Sequence, residues 1–225
     1  MFPPGLYAFC SDLHQGDGSP RDGFYESARW FLTEIGSHPI DARPVLVGDI
    51  KDALCYGLEE IQAVPIYGEI DDELAARRAI YVRGNHCPAV EALKAALPAG
   101  FVICDRATIG HYYVCHGQEW DLLNGRWHSV GDAMTRLSAA AGHLSAGLED
   151  WIAGVADKVR GTGRHGEEWR FIDSAFDHIR HWPGINGVIC GHTHKARRLS
   201  DADGGKEYIN LGTWRTDGFA ILEIE

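Results

Sequence analysis

Short apolar runs and helix-period stretches alternate along the first half of the chain. Leu6–Cys10 (LYAFC), Pro44–Val47 (PVLV) and Ala79–Val82 (AIYV) are apolar runs of strand length, the pattern of strands covered on both faces. After the first of them, Phe24, Ala28, Phe31, Leu32 and Ile35 fall at steps of three and four, which predicts a helix with one apolar face. Ala89–Leu97 reads as a further helix, and Phe101–Cys104 and His111–Cys115 as further strands. From about Trp120 to His181 the pattern changes. Helix formers dominate there, and Asp132–His143, Leu148–Val159 and Trp169–His181 read as helices, with Gly161–Gly166 (GTGRHG) a loop between two of them. Gly187–Cys190 (GVIC) resumes the strand pattern. Asp201–Gly205 (DADGG) marks a turn, and strands follow at Tyr208–Leu211 and Phe219–Ile224. The expectation is one α/β domain over residues 1–225, carrying a helical insertion at 120–181.

Five polar clusters each follow an apolar run. They are Ser11-Asp12-Leu13-His14, Gly48-Asp49, Gly84-Asn85-His86, His116-Gly117 and Gly191-His192-Thr193-His194. Open α/β sheets place their ligands at the carboxyl ends of strands. Loops there would gather carboxylates, an amide and imidazoles at one point, a donor set of oxygen and nitrogen that suits divalent metal ions. In extended backbone the two ligands of Asp-x-His and of His-x-His project to the same side. Glycine beside the clusters permits tight turns and close backbone approach. Two divalent ions against Asp12 and Asp49 leave positive charge for a hydroxide and an anionic phosphoryl group.

Composition narrows the partners. The chain has 225 residues, 45% of them hydrophobic and 24% charged, enough for a sizeable core. Its net charge of −11 is a poor match for nucleic acid, whose binding rests on Lys and Arg. A small anionic substrate is compatible with that charge, because a bound cation dominates the local field. The six cysteines form no C-x-x-C pair, and most end apolar runs, as core thiols do. With no basic, apolar leader in MFPPGLYAFCSD, the expectation is a cytoplasmic protein, with peripheral contact to the inner face of a membrane left open.

The clusters, in this order, resemble the calcineurin-like metallophosphoesterases, whose pattern runs D-x-H, G-D, G-N-H, H and G-H-x-H. The resemblance spans Ser11 to about Trp214. It implies a metallophosphatase α/β/β/α sandwich with a helical cap, hydrolysing a phosphate ester or pyrophosphate with two divalent ions (Mn, Fe or Zn). Asp12, His14 and His194 would hold the first ion, Asn85, His116 and His192 the second, and Asp49 both. His86 would face the phosphoryl group as the catalytic residue and protonate the leaving oxygen. The family usually continues G-N-H with an Asp that orients the His; here the next residue is Cys87, so His86 needs another partner. Within the family the chain is most similar to the UDP-2,3-diacylglucosamine pyrophosphatases. The shared features are FCSDLHQGDG, the run His116-Gly117-Gln118-Glu119-Trp120-Asp121, the insertion, and VICGHTH…YINLGTW. Their best-known branch has Arg where this chain has His86. The implied substrate is a small nucleotide-sugar or lipid-like pyrophosphate. The competing readings are a general phosphodiesterase, a Ser/Thr protein phosphatase and a non-catalytic scaffold.

Other residues have plainer readings beside these. Arg83, Lys195 and Arg197 are candidate phosphate contacts, or else solvated loop residues. Asp52 reads as a helix-start residue or a support behind the ligands, and Cys87 as a packing thiol. His38, His111, His128, His143, His165, His178 and His181 read as surface or core histidines.

Overall fold

A computed structural model describes residues 1–121, 164–201 and 205–224. Among the described residues, ten strands form two five-stranded sheets. The first sheet takes β1 (Gly5–Cys10), β2 (Arg43–Val47), β3 (Ile80–Val82), β4 (Val102–Cys104) and β10 (Ala220–Ile224). Its order is β10-β1-β2-β3-β4, with β10 antiparallel and the others parallel. The second takes β5 (Arg106–Ile109), β6 (Tyr112–Cys115), β7 (Gly187–Cys190), β8 (Arg197–Ser200) and β9 (Glu207–Asn210). Its order is β5-β6-β7-β9-β8; β6, β7 and β9 run parallel, and the edge strands antiparallel.

Side-chain alternation assembles the layers. Tyr7, Phe9, Val45, Val47, Ile80 and Val82 of the first sheet meet Ile109, Val114, Ile189 and Ile209 of the second. The alternate residues Cys10, Leu46 and Tyr81 pack outward against α1 (Ala28–Ser37), α2 (Leu58–Gln62), α3 (Pro65–Ala76) and α4 (Val90–Ala96). On the second sheet Tyr113, Cys115, Val188, Cys190 and Tyr208 pack outward against α5 (Arg164–Arg180), through Phe171, Ile172, Ala175, Phe176 and Ile179. The result is helices, sheet, sheet, helix: the expected α/β/β/α sandwich. A short helix, α6 (Trp214–Asp217), buries Trp214 against Phe24 and Phe31. Truncating a side chain such as Phe31 to Ala would cost about 3–5 kcal/mol.

The helix expected at Trp169–His181 makes up most of α5, which ends at Arg180 and whose apolar stripe is core. Helix α5 begins at Arg164, inside the loop expected at Gly161–Gly166. The helices expected at Asp132–His143 and Leu148–Val159 lie outside the described residues. Helix α3 is not among the predicted elements, although Pro65 at its first turn and Ile66, Ile70 and Leu74 at steps of four carry the signal. No helix among the described residues is long and apolar enough to cross a membrane.

Candidate dinuclear metal centre

Each predicted ligand sits just past the carboxyl end of a strand: Asp12 and His14 after β1, Asp49 after β2, Asn85 after β3, His116 after β6, and His192 and His194 after β7. Backbone bonds join these loops. Asp12 N–H donates to the Gly48 carbonyl (3.1 Å), His14 N–H to Asp49 (2.9 Å) and Gly191 N–H to His116 (3.0 Å). A Cβ at Gly48 would collide with the His116 ring, and one at Gly84 with the Asp49 carboxylate. These two loops therefore need glycine in order to approach so closely.

The same-side projection of Asp-x-His and His-x-His is reached differently from the expectation. Asp12, His14, His192 and His194 are not extended; their φ angles are 55°, 53°, 70° and 56°. Asp49, at 50°, is left-handed too. Left-handed backbone costs a non-glycine residue about 1–2 kcal/mol, so its concentration in one set of loops marks a site where aim overrides local preference.

The side chains converge as two groups of donors, Asp12/His14/His194 and Asp49/His116/His192. His14 Nε2 faces His194 Nε2 at 3.3 Å, and His192 Nδ1 faces His116 Nε2 at 3.3 Å. Asp12 Oδ1 lies 3.1 Å from His194 Nε2, and Asp49 Oδ2 lies 3.0 Å from His116 Nε2. The far ring nitrogens are held from behind. His116 Nδ1 pairs with the Val47 carbonyl (3.1 Å), and His192 Nε2 with Asp121 Oδ2 (2.9 Å). Each leaves its other nitrogen turned inward, the arrangement of a metal-binding imidazole. Buried Asp12 Oδ1 and Asn85 Oδ1 lack a well-aligned hydrogen-bond donor, and an orphaned buried oxygen calls for a partner. Paired facing nitrogens, bare oxygens and two buried carboxylates fit a pair of divalent cations.

The protonation states have the same cause. Burial alone would push Asp49 up, but the charge and hydrogen bond of His116 hold it well below the ordinary carboxylate range. Burial would push His116 down, but Asp49 and Asp12 raise it to about 9. In the metal-free protein a proton on the buried imidazole answers the negative charge that cations would otherwise answer.

His86 stands between the two donor groups, its ring donor within 4.8 Å of those of His14 from one and Asp49 from the other. Its N–H donates to Asp49 Oδ1 (2.9 Å), and its ring Nδ1 pairs with Asp52 Oδ1 (2.9 Å). Asp52 thus supplies the orienting carboxylate that Cys87 does not. Cys87 is buried, with its sulfur 3.3 Å from the Tyr81 hydroxyl. Asp52 Oδ2 also lies 3.6 Å from His14 Nδ1. Although burial opposes it, the hydrogen bonds from His14 and His86 hold Asp52 well below its usual range.

Sequence reasoning missed a strut behind the site. Lys51 is fully buried, and its Nζ donates to Gln15 Oε1 (2.8 Å) and to both Asp71 oxygens (3.0 and 2.7 Å). It ties the loops after β1 and β2 to α3. Breaking such a pair by removing one partner costs about 3–5 kcal/mol. It also missed the roles of Asp121 and of Phe171, whose ring stacks on His192 with centroids 6.0 Å apart. The signal for Asp121 lay in the run beginning at His116; none pointed to Phe171.

The candidate phosphate contacts all carry ion pairs. Arg83 pairs with Asp105 (2.8 Å), and Lys195 and Arg197 share Glu168 of α5 (3.1 and 3.0 Å). Arg197 also lies over the half-exposed Trp169 ring, 5.8 Å from its centroid.

Comparisons with known proteins bear on the family and the fold. A family model described as calcineurin-like phosphoesterase matches residues 6–196. No curated protein matches the chain. A dimetal phosphatase from Danio rerio is similar in structure, at 14% identity and a TM-score of 0.51, over 99% of this chain and 93% of that one. A protein of unknown function from Aquifex aeolicus aligns at 16% identity and a TM-score of 0.48, over 96% of this chain and 95% of that one. The phosphopantetheinyl hydrolase of Mycobacterium tuberculosis aligns at 15% identity and a TM-score of 0.45, over 98% of this chain and 96% of that one. At these identities the likeness concerns the fold.

Proposed function

The chain belongs to the calcineurin-like phosphoesterase family, and from that premise we propose that this metal-dependent phosphoesterase cleaves a small pyrophosphate or phosphodiester of the nucleotide-sugar or lipid-linked kind. The observation that carries the chemistry is the convergence of two donor groups, with buried Asp12 Oδ1 and Asn85 Oδ1 lacking a well-aligned hydrogen-bond donor. Asp12, His14 and His194 would hold one ion, Asn85, His116 and His192 the other, and Asp49 both. Mn, Fe and Zn all suit such oxygen and nitrogen donors. When bound, the ions supply Lewis-acid activation of water and neutralise phosphoryl charge.

The chain's own residues do the rest. With Nδ1 engaged by Asp52, His86 presents Nε2 toward the reacting phosphoryl group, where it donates a hydrogen bond and a proton to the leaving oxygen. Two features favour a substrate with a second charged or aromatic part. His194 is the exposed ligand, at 49%, so the centre opens on its side. Lys195 and Arg197 follow His194 closely in the chain; they share Glu168, and Arg197 lies over the Trp169 ring, so the group carries one net positive charge beside an aromatic face. The likeness of FCSDLHQGDG and the His116–Asp121 run to the UDP-2,3-diacylglucosamine pyrophosphatases points to the same class. We assign the segment between Asp121 and Arg164 to substrate selection, since every proposed ligand lies outside it.

The test compares Mn²⁺-loaded protein on bis-p-nitrophenyl phosphate, on the mono-ester, on a phosphopeptide, and on a panel of nucleotide-sugar and lipid pyrophosphates. The expected order places pyrophosphates and the diester first. Replacing residues 122–163 by a Gly/Ser linker should damage pyrophosphate turnover far more than diester turnover. Preference for the mono-ester or phosphopeptide would overturn the substrate class.

A further inference from the structure

Next to the dinuclear centre lies a cluster of different chemistry. Asp52, Cys55 and His86 each offer one donor atom, and the three atoms lie within 4.8 Å of one another. The backbone fixes this arrangement. Cys55 N–H donates to the Asp52 carbonyl (3.3 Å) and to Asp52 Oδ1 (3.3 Å), and Tyr56 N–H to the Asp52 carbonyl (3.0 Å). The turn therefore carries the carboxylate and the thiol of Asp-x-x-Cys together. His86 arrives from the loop after β3, tied to the turn by the Ala53 N–H on its carbonyl (2.9 Å) and by its ring on Asp52 (2.9 Å). Cys55 is partly exposed, whereas Cys10, Cys87, Cys115 and Cys190 are buried.

The donor sets of the two neighbouring sites differ in softness. The dinuclear centre offers oxygen and nitrogen only. This cluster offers a carboxylate, an imidazole and a thiol, and thiolate selects thiophilic ions. Three protein donors with one position left open form a zinc set. We propose that Asp52, Cys55 and His86 form a third cation site, which takes a thiophilic divalent ion of the zinc type on His86 Nδ1 and thereby replaces the Asp52 hydrogen bond that aims the His86 ring. Binding releases the thiol proton and the proton shared between His86 and Asp52, with no change of oxidation state. The inhibitory consequence rests on the role proposed above for His86; the binding does not.

The test titrates the Mn²⁺-loaded full chain with Co²⁺, which reports its ligands optically. A thiolate-to-cobalt charge-transfer band arises only from cysteine, because no donor of the dinuclear centre carries sulfur. The wild type should show the band, and the metal content should rise by one ion per chain. C55S and C55A should lose the band, and C87S should keep it. Absence of the band in the wild type, or its survival in C55S, overturns the site. Zn²⁺ inhibition is then measured as a fraction of each variant's own zinc-free rate. Losing an outer partner alone lowers metal affinity about 10–100-fold, so C55S should need at least about tenfold more zinc for half inhibition. Equal inhibition of C55S and wild type overturns the regulatory role. Failure of the dinuclear reading would look different: Mn²⁺ loading would fall short of two ions per chain, while the cobalt band still reported on Cys55.

Discussion

The two halves of the candidate metal centre are built on different terms. Around Asp49, His116 and His192 the side chains are 3%, 0% and 10% exposed. Val47 and Asp121 hold the two rings from behind, and Phe171 covers one of them. Around Asp12, His14 and His194 the carboxylate is equally buried, but the imidazoles are 26% and 49% exposed. The sealed half is shaped by the protein before any ion arrives. The open half keeps the carboxylate in place and leaves two rings at the solvent edge, where an ion would complete the geometry. A buried imidazole between carboxylates is also part of the fold's electrostatic balance, which an exposed one is not.

The severest test of the comparison removes what the halves share. Asp49→Asn removes the carboxylate charge proposed to serve both ions, so both ions should be lost and turnover should fall by at least about 10³-fold, or about 4 kcal/mol of transition-state stabilisation. Metal analysis showing two ions per chain with normal turnover would sink the assignment. The contrast itself is tested by the pair His116→Ala and His194→Ala. The first leaves Asp49 and Asp12 facing each other in a dry site, and should lower the stability of metal-stripped protein by about 3–5 kcal/mol. The second should leave that stability nearly unchanged and cost an ion. Equal destabilisation in denaturant melts would erase the distinction between sealed and open halves.

A smaller effect separates chemistry from binding. His86→Ala should retain both ions while turnover falls about 10²–10⁴-fold, the range of a lost acid–base group. Loss of metal in this variant would make His86 a ligand. Asp121→Asn probes the support of the sealed half. Losing such a partner weakens metal binding by about 10–100-fold, read as a shift in the Mn²⁺ concentration that restores half of the activity. An unchanged midpoint would mean that Phe171 and the backbone aim His192 without Asp121.

How much of this was legible varies by residue. The proposed ligands stand one to four residues past apolar runs, so their types and order could be read directly. Strands β5 (RATI) and β8 (RRLS) carried no such signal. Both are edge strands of four residues with partly exposed positions; RATI does alternate polar and apolar, but so short a stretch does not stand out from a loop. Asp52 was legible as a support behind the ligands. That it serves His86 and His14 together was not.

The chain by itself determined the chemistry: which donors exist, in what order, and at the ends of which strands. A strand end and a short motif are local properties, and hydrophobic period reports them. The tertiary structure decided the partners. Asp52 reaches His86 across 34 positions, Asp121 reaches His192 across 71, and Lys51 reaches Asp71 across 20. It also turned Asp12, His14, Asp49, His192 and His194 into left-handed backbone, against their local preference. Those outcomes depend on how two sheets and the flanking helices stack. Local sequence sets the cost of a strained turn or a buried charge, but only packing brings near the groups that offset it.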